Sequence, residues 1–313
     1  MGAALKDPKR YIKLDADESI FFVRQLTYIK SKTYDVEYPE LRARQLIPVS
    51  MEAGEGAQSI VYHQFDMLGT AKIISNYAKD LPRVDVKAKE FTANVRSLGA
   101  SYGYSLQDIR SAKMAGVPLE QRKANAAKRA ILQTEDAIAF SGDTDNGLGG
   151  FISNSNITDN AAPNNAGATS TLWANKTNLE MLADLISLSE APVDATLGIE
   201  TPDTLLLPLA QYNLVANTQM PNINMTVLKF FLENSPYIKN VEVWNKLKGA
   251  GASSTDLAMV YRKDPDKVTL EIPVDFEQLP VQEIGLEFEV PCHSRCAGVI
   301  WYYPLSAAKL HGI

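Results

Sequence analysis

Few residues in this chain are grouped in a way that could do chemistry. Its histidines are His63, His293 and His311, and none stands in an H-E-x-x-H arrangement for zinc. No G-x-x-x-x-G-K-[ST] phosphate loop occurs either. Cys292-His293-x-x-Cys296 offers two thiolates and an imidazole, but a structural zinc site needs a fourth ligand and a loop to wrap it. The flanking residues read as extended chain, which puts Cys292 and Cys296 on one strand face and His293 on the other. Core cysteines beside an ordinary histidine are the expected outcome. Asp143-x-Asp145-x-Gly147 begins like a calcium loop. That loop wants an acid or Asn, a Gly and a Glu at its fifth, sixth and twelfth places, where this chain has Gly147, Leu148 and Asn154. A tight turn ending a helix fits better. Gly54-Glu55-Gly56 precedes a strand-like run, whereas a dinucleotide fingerprint follows one, so it reads as a turn. Trp301-Tyr302-Tyr303 lies beside Val299 and Ile300 and reads as core packing. No catalytic, cofactor-binding or metal-ligating residue is assigned, and no cofactor is expected.

Composition narrows the class further. The 313 residues are 45% hydrophobic and 22% charged, ordinary for a folded domain or two and wrong for a disordered chain. The 31 basic and 37 acidic residues leave a net charge of −6, so a uniformly basic nucleic-acid binder is not expected. Apolar runs are short: Leu205-Leu206-Leu207 is stopped by Pro208, far below the roughly 20 residues that span a bilayer. Charge in Met1 to Arg10 argues against an export signal, and Lys6 stands where a myristoylation site wants Ser or Thr. Two cysteines are too few for a disulfide framework. A soluble protein made in a reducing cytoplasm, with no membrane partner, is expected.

The elements that must carry these residues form an unusual series. Residues 1–45 read as a poorly packed arm, with one apolar stretch from Ile20 to Leu26. Leu46 to Val49 begins a β-like region. Ile60 to Phe65 is strand-like, and so is the alternation Phe91, Ala93, Val95; the polar stretch between them suggests a projecting hairpin. A two-stranded ribbon is marginal alone in water and needs an outside surface. Ser105-Leu106-Gln107-Asp108 fits a capping box for a helix ending near Gly116, and Pro118 opens a longer helix, Leu119 to Phe140. On that helix Ala127, Ile131, Thr134 and Ile138 share one side, while Arg122, Asn125, Arg129, Gln133 and Asp136 share another. Its basic first half and acidic end oppose the macrodipole preference, so packing must hold it. Thr177-Asn178-Leu179-Glu180 caps a helix to about Ser189. A strand at Thr204 to Leu207, helices to Val215 and over Thr226 to Leu232, and strands at Val241 to Trp244 and Leu257 to Tyr261 complete an α/β module. Extended runs follow at Val268 to Ile272, Leu286 to Val290 and Val299 to Tyr303.

Taken in order, this series resembles a major capsid protein of a tailed bacteriophage with the HK97-like fold. The run from Ile60 to Phe151 carries most of the likeness. It holds Asp80-Leu81-Pro82-Arg83-Val84-Asp85-Val86, Tyr102-Gly103-Tyr104-Ser105 before Asp108-Ile109-Arg110, and Glu135-Asp136-Ala137-Ile138-Ala139-Phe140 before Gly142-Asp143 and Gly147-Leu148-Gly149-Gly150-Phe151. The resemblance implies an α+β fold: an N-terminal arm (1–45), an extended β-hairpin loop with flanking strands (46–100) and a peripheral domain (101–175) with a spine helix (119–140). An axial α/β domain (176–270) follows, and C-terminal strands (271–313) complete the peripheral domain. It implies no enzyme. The chain would be a structural protein forming hexamers and pentamers, assembled in the host cytoplasm into an icosahedral head around double-stranded DNA. An encapsulin-type compartment shell is the same-fold alternative, and a soluble α/β enzyme the remote one.

Its main partner would be itself, with a portal protein at one vertex and separate scaffolding and cement proteins as candidates. Packaged DNA would be touched non-specifically, with Arg122 and Arg129 as candidate DNA-facing residues. Ile60, Tyr62, Phe65, Phe91 and Val95 are the expected contacts between subunits, and Ile131 and Ile138 the expected core under the spine helix. No charged helical segment precedes the arm, so scaffolding would be absent or supplied by another protein. Lys72 and Lys79, where one branch of the family cross-links, read as plain solvated charges.

Overall fold

A 23-residue helix is the longest element of the computed structural model, which describes residues 38–68, 83–115 and 119–313. Most of the arm and the tip of the expected loop, with Lys72 and Lys79, lie outside the described residues. Leu41–Ile313 forms one compact unit. In chain order it holds α1 (Ala43–Leu46), β1 (Val49–Ser50), β2 (Ser59–Leu68), β3 (Asp85–Asn94), β4 (Arg96–Ser105), α2 (Leu106–Ala115) and the long α3 (Leu119–Ser141). Then come β5 (Thr158–Ala161), α4 (Asn178–Ala195), β6 (Thr204–Leu207), α5 (Leu209–Asn217), α6 (Val227–Asn234), β7 (Asn240–Val243) and β8 (Leu257–Tyr261). The chain closes with β9 (Val268–Glu271), β10 (Val274–Gln278), β11 (Gln282–Ile284), β12 (Glu287–Cys296), β13 (Gly298–Trp301) and β14 (Ala308–His311).

Helix α3 rests on a sheet centred on β12, with β4 on one side and β10 and β11 on the other. Ala127 and Ile131 bury against Cys292, Leu98, Ala100, Tyr102 and Phe276. Ile138 enters a second cluster with Phe151, Trp244, Tyr261 and Trp301. Two residues depart from the expected faces. Thr134 is exposed, with its hydroxyl donating to the Ala130 carbonyl 3.0 Å away. Asp136 is buried rather than solvated. It caps α1 by accepting the Ala43 N–H at 2.9 Å and pairs with Lys246, while Glu135 takes both guanidinium arms of Arg44 at 2.5 and 2.7 Å. Cations from distant segments thus neutralise the acids that helix periodicity alone would expose.

A five-stranded sheet, in the order β5-β14-β8-β6-β7, forms the α/β module with α4, α5 and α6. The Thr177–Glu180 capping box is formed. Helix α4 nevertheless runs past Ser189 to Ala195, because Pro192 is buried against the module and its missing hydrogen bond falls near the end. The last strand also departs from expectation. Ala308–His311 lies in the module's sheet, parallel to β5 and antiparallel to β8, and buries Ala308 and Leu310 among the module's side chains. Residues 271–313 therefore divide between the two bodies. Between those bodies, β9 pairs with β1 and β13 under the cluster around Phe151.

Candidate functional site

The feature that sets this molecule apart from a self-sufficient domain is the ribbon β2–β3. Its strands pair antiparallel from Ser59↔Asn94 to Leu68↔Asp85, and the two join no other strand among the described residues. The register sorts its side chains into two faces. One carries Ile60, Tyr62 and Phe91, partly buried near the root. Tyr62 stacks on Phe91 with ring centroids 5.2 Å apart and meets Tyr302 edge-on at 5.0 Å, which ties the root to the body. The other face carries Val61, Phe65, Met67, Val84 and Val86, all exposed, Phe65 to 64% and Met67 to 81%. Apolar surface in such a row costs solubility unless something covers it.

The expected contact residues thus separate. Phe65 projects outward; Ile60, Tyr62 and Phe91 lie on the side that meets the chain's own body. Val95 sits between β3 and β4, is 4% exposed and donates its N–H to the Gln58 carbonyl at 2.9 Å. It belongs to its own subunit's interior, since it lies at the root where ribbon and body join. Met67, Val84, Val86 and Val61 were not singled out in the sequence; the cross-strand register is what groups them with Phe65. Ile131 and Ile138 are 3% and 7% exposed. Arg122 is exposed and Arg129 half-buried on α3.

Beside the root lie two grooves. One of about 1060 Å³ runs between Tyr62, Phe65, Met51 and the turn Arg262 to Lys267. The other, about 750 Å³, is walled by Phe91, Tyr303, Leu305 and Ile199 and floored by Asn154, Asn156 and Glu200. In the wall between them, Lys267 pairs with Glu200 at 2.5 Å and sits 4.1 Å above the Tyr303 ring.

Beneath these surfaces the arm's root is clamped by charge. Arg42 pairs with Glu242 at 2.8 Å and also donates to the Val243 carbonyl. Arg44 bridges Glu135 and Asp275, the latter at 2.7 Å. The guanidinium holds the Asp275 carboxyl below its ordinary range, and the two carboxylates raise the already high pKa of Arg44. The segment 41–46 is thereby fixed to the long helix, the β12 sheet and the α/β module together.

The described residues assemble nothing resembling an active site. Cys292 and Cys296 are buried free thiols on the inner face of β12, and burial pushes Cys296 up to about 12. His293 lies on the opposite face, 2.9 Å from Glu277. No cluster of potential metal ligands occurs among the described residues. Asp143 accepts the N–H groups of Asp145 and Asn146 at 3.1 and 3.2 Å, closing the turn after α3. A G-x-S-x-G, which the sequence was not expected to contain, is in fact spelled by Gly99-Ala100-Ser101-Tyr102-Gly103. A nucleophile elbow needs a sharp strand-to-helix turn with an oxyanion hole. Here the five residues lie within the strand β4, and among the described residues the Ser101 hydroxyl makes no hydrogen bond to His293 or to any other group.

No curated protein matches the chain. Solved structures do, at identities that speak for the fold. The capsid of Myoviridae phage XM1 superposes with a TM-score of 0.81 at 18% identity, covering 95% of this chain and 100% of that one. The capsid of an empty GTA particle gives 0.63 at 15% identity over 92% and 96%. The capsid of cyanophage P-SCSP1u gives 0.58 at 13% over 91% and 92%. These share the HK97-like fold. The model of the major capsid protein family matches residues 69–313, and the chain belongs to that family: a structural protein of the phage capsid, not an enzyme.

Proposed function

We propose that this chain forms hexamers and pentamers that close into an icosahedral head around double-stranded DNA, each subunit laying its ribbon across a neighbour. One observation carries the reading: a twenty-residue ribbon, ten residues per strand, presents Val61, Phe65, Met67 and Val86 to solvent. Covered by a neighbour, that face adds to an interface of the standard size, roughly 1,000 Å² or more. Each copy both gives and receives the contact, a heterologous arrangement that closes into rings. In this reading β2–β3 is the extended loop, α3 the spine of the peripheral domain and the five-stranded module the axial domain. Assembly takes place in the host cytoplasm, with a portal protein at one vertex; separate scaffolding and cement proteins are candidate partners.

Electron microscopy of the expressed chain tests the proposal. Rings, shells or tubes are expected, and a stable 34.4 kDa monomer at micromolar concentration would overturn it. Replacing Thr70 to Lys79 with a short Gly/Ser linker should leave near-native circular dichroism and abolish particles. DNA would be met through scattered cations, Arg122 and Arg129 among them. With a net charge of −6, purified subunits should bind DNA weakly, without sequence preference and with steep salt dependence.

A further inference from the structure

The β12 sheet ends on one side in an unguarded strand edge. Which backbone groups of β4 face that edge follows from three contacts. Leu279 donates its N–H to the Pro291 carbonyl, so the odd residues of β12 point toward β10 and the even ones toward β4. The partners of the even ones, Leu98, Ala100 and Tyr102, spend their groups on β12. The odd residues of β4 therefore point outward, as two further contacts confirm: Ser105 N–H is capped by Asp108 at 3.2 Å, and the Gly103 carbonyl takes Lys123 at 2.6 Å. Between that capped end and the start of the strand, the main-chain groups of Ser97, Gly99 and Ser101 have no partner among the described residues. All three residues are exposed, small and uncharged.

The ribbon has a matching edge. Val95 donates to the Gln58 carbonyl, which makes even residues of β2 the ones that bond to β3. The odd ones, Val61, His63, Phe65 and Met67, point their main-chain groups away from the ribbon, and those groups have no partner among the described residues either. Soluble proteins guard such edges with lysine, proline or a bulge, because a bare edge invites another strand. Neither of these two stretches carries a lysine, a proline or a bulge.

We propose that the free edge of β2 in one copy pairs antiparallel with the Ser97–Ser101 edge of β4 in a second copy, joining ribbon and β12 sheet into one sheet across the subunit boundary. This rests on the reading that the ribbon lies on a neighbour, and names where it lands. Directly opposed residues of an antiparallel pair share a sheet face, so the bulky row Val61, Phe65, Met67 falls beside the small row Ser97, Gly99, Ser101. An aromatic ring laid over a strand glycine restores the packing that glycine lacks. The β3 edge fits less well, since the segment after Asp85 carries Lys87, Lys89 and Glu90.

Proline at the β4 edge tests this in the full chain. Gly99→Pro with Ser101→Pro removes two outward N–H groups while leaving the ladder to β12 intact. Subunits should fold with unchanged circular dichroism and associate about tenfold more weakly or worse. Pairing Phe65→Cys with cysteine at 97, 99 or 101 should give a reducible ladder of oligomers in non-reducing electrophoresis. A ladder from at least one pair supports the edge contact even where the proline variants misfold. If the 70–79 linker variant loses particles while the proline variants assemble normally and no cysteine pair bridges copies, the ribbon lies elsewhere and this inference fails alone. Full assembly of the linker variant would remove the ribbon reading and this inference with it.

Discussion

Strands β6 and β2 are both rich in apolar residues and end in opposite surroundings. In β6 every residue is buried, with Leu205 and Leu207 in the module's core and Leu206 in the cluster around Phe151. In β2 the residues from Val61 outward are mostly exposed, Phe65 to 64% and Met67 to 81%, although Ala88 and Val86 lie directly opposite them on β3. The difference lies in what each strand can reach, since β6 has strands on both edges and helices above, while β2 has only β3 among the described residues. One region spends its hydrophobic surface on folding. The other leaves it at the surface, where the proposed association would cover it.

That contrast breaks first in the body. Ile131→Asp buries a carboxylate among Ala127, Leu98 and Cys292 with no cation in the cluster, at a cost of about 4 kcal/mol, a large share of a domain's total stability. Expression should yield no soluble subunit; a soluble variant with native melting would mean that this face of α3 is not packed. Asp136→Ala strands both the Ala43 N–H and Lys246, and should cost about 3 kcal/mol by chemical denaturation. A loss below 1 kcal/mol would show the arm's root to be held by other contacts.

Acid acts more gently. Asp275, lowered by Arg44, and Glu180, lowered by the Thr177 N–H and hydroxyl, bind protons less readily in the folded than in the unfolded chain. Their stabilisation is complete above the ordinary carboxylate pKa and is lost as pH falls through the lowered folded values. Melting should therefore hold steady from pH 7 to 5 and decline below about 4. A midpoint that rises on acidification would contradict both assignments. The smallest effect on folding is expected in the ribbon. Phe65→Ser with Met67→Ser should shift subunit stability by no more than about 0.5 kcal/mol yet reduce particle yield sharply. Equal loss of folding and assembly would erase the distinction between the two regions.

Much of the architecture is legible in the sequence because its signals are local. Capping boxes at Ser105 and Thr177 form where their spacing places them. The strands at Thr204 and Leu257 and the spine helix lie within a few residues of expectation. What stays hidden depends on distant partners. Strand β4 alternates Leu98, Ala100, Tyr102 and Tyr104 with Ser and Gly, and the small residues read as loop until β12 is set beside them. Pro291 reads as the end of a strand, yet β12 continues through it, because its missing N–H faces the break between β10 and β11. Asp136 looks like a surface acid because Lys246 is more than a hundred residues away. The outward row on the ribbon needs a register, and composition cannot supply one.

Strands β3 and β4 are separated by a single residue, Val95, so the ribbon is less a loop than a beam continuing out of the sheet that supports the long helix. A load applied at its far end is not absorbed by a floppy joint. It arrives as torque at Val95 and at the Tyr62–Tyr302 contact, and passes from there into β4 and the face of α3 that rests on it. In the proposed assembly, neighbouring copies set at different angles would bend this cantilever, and the stiffness of its root would set how much curvature the assembled surface tolerates.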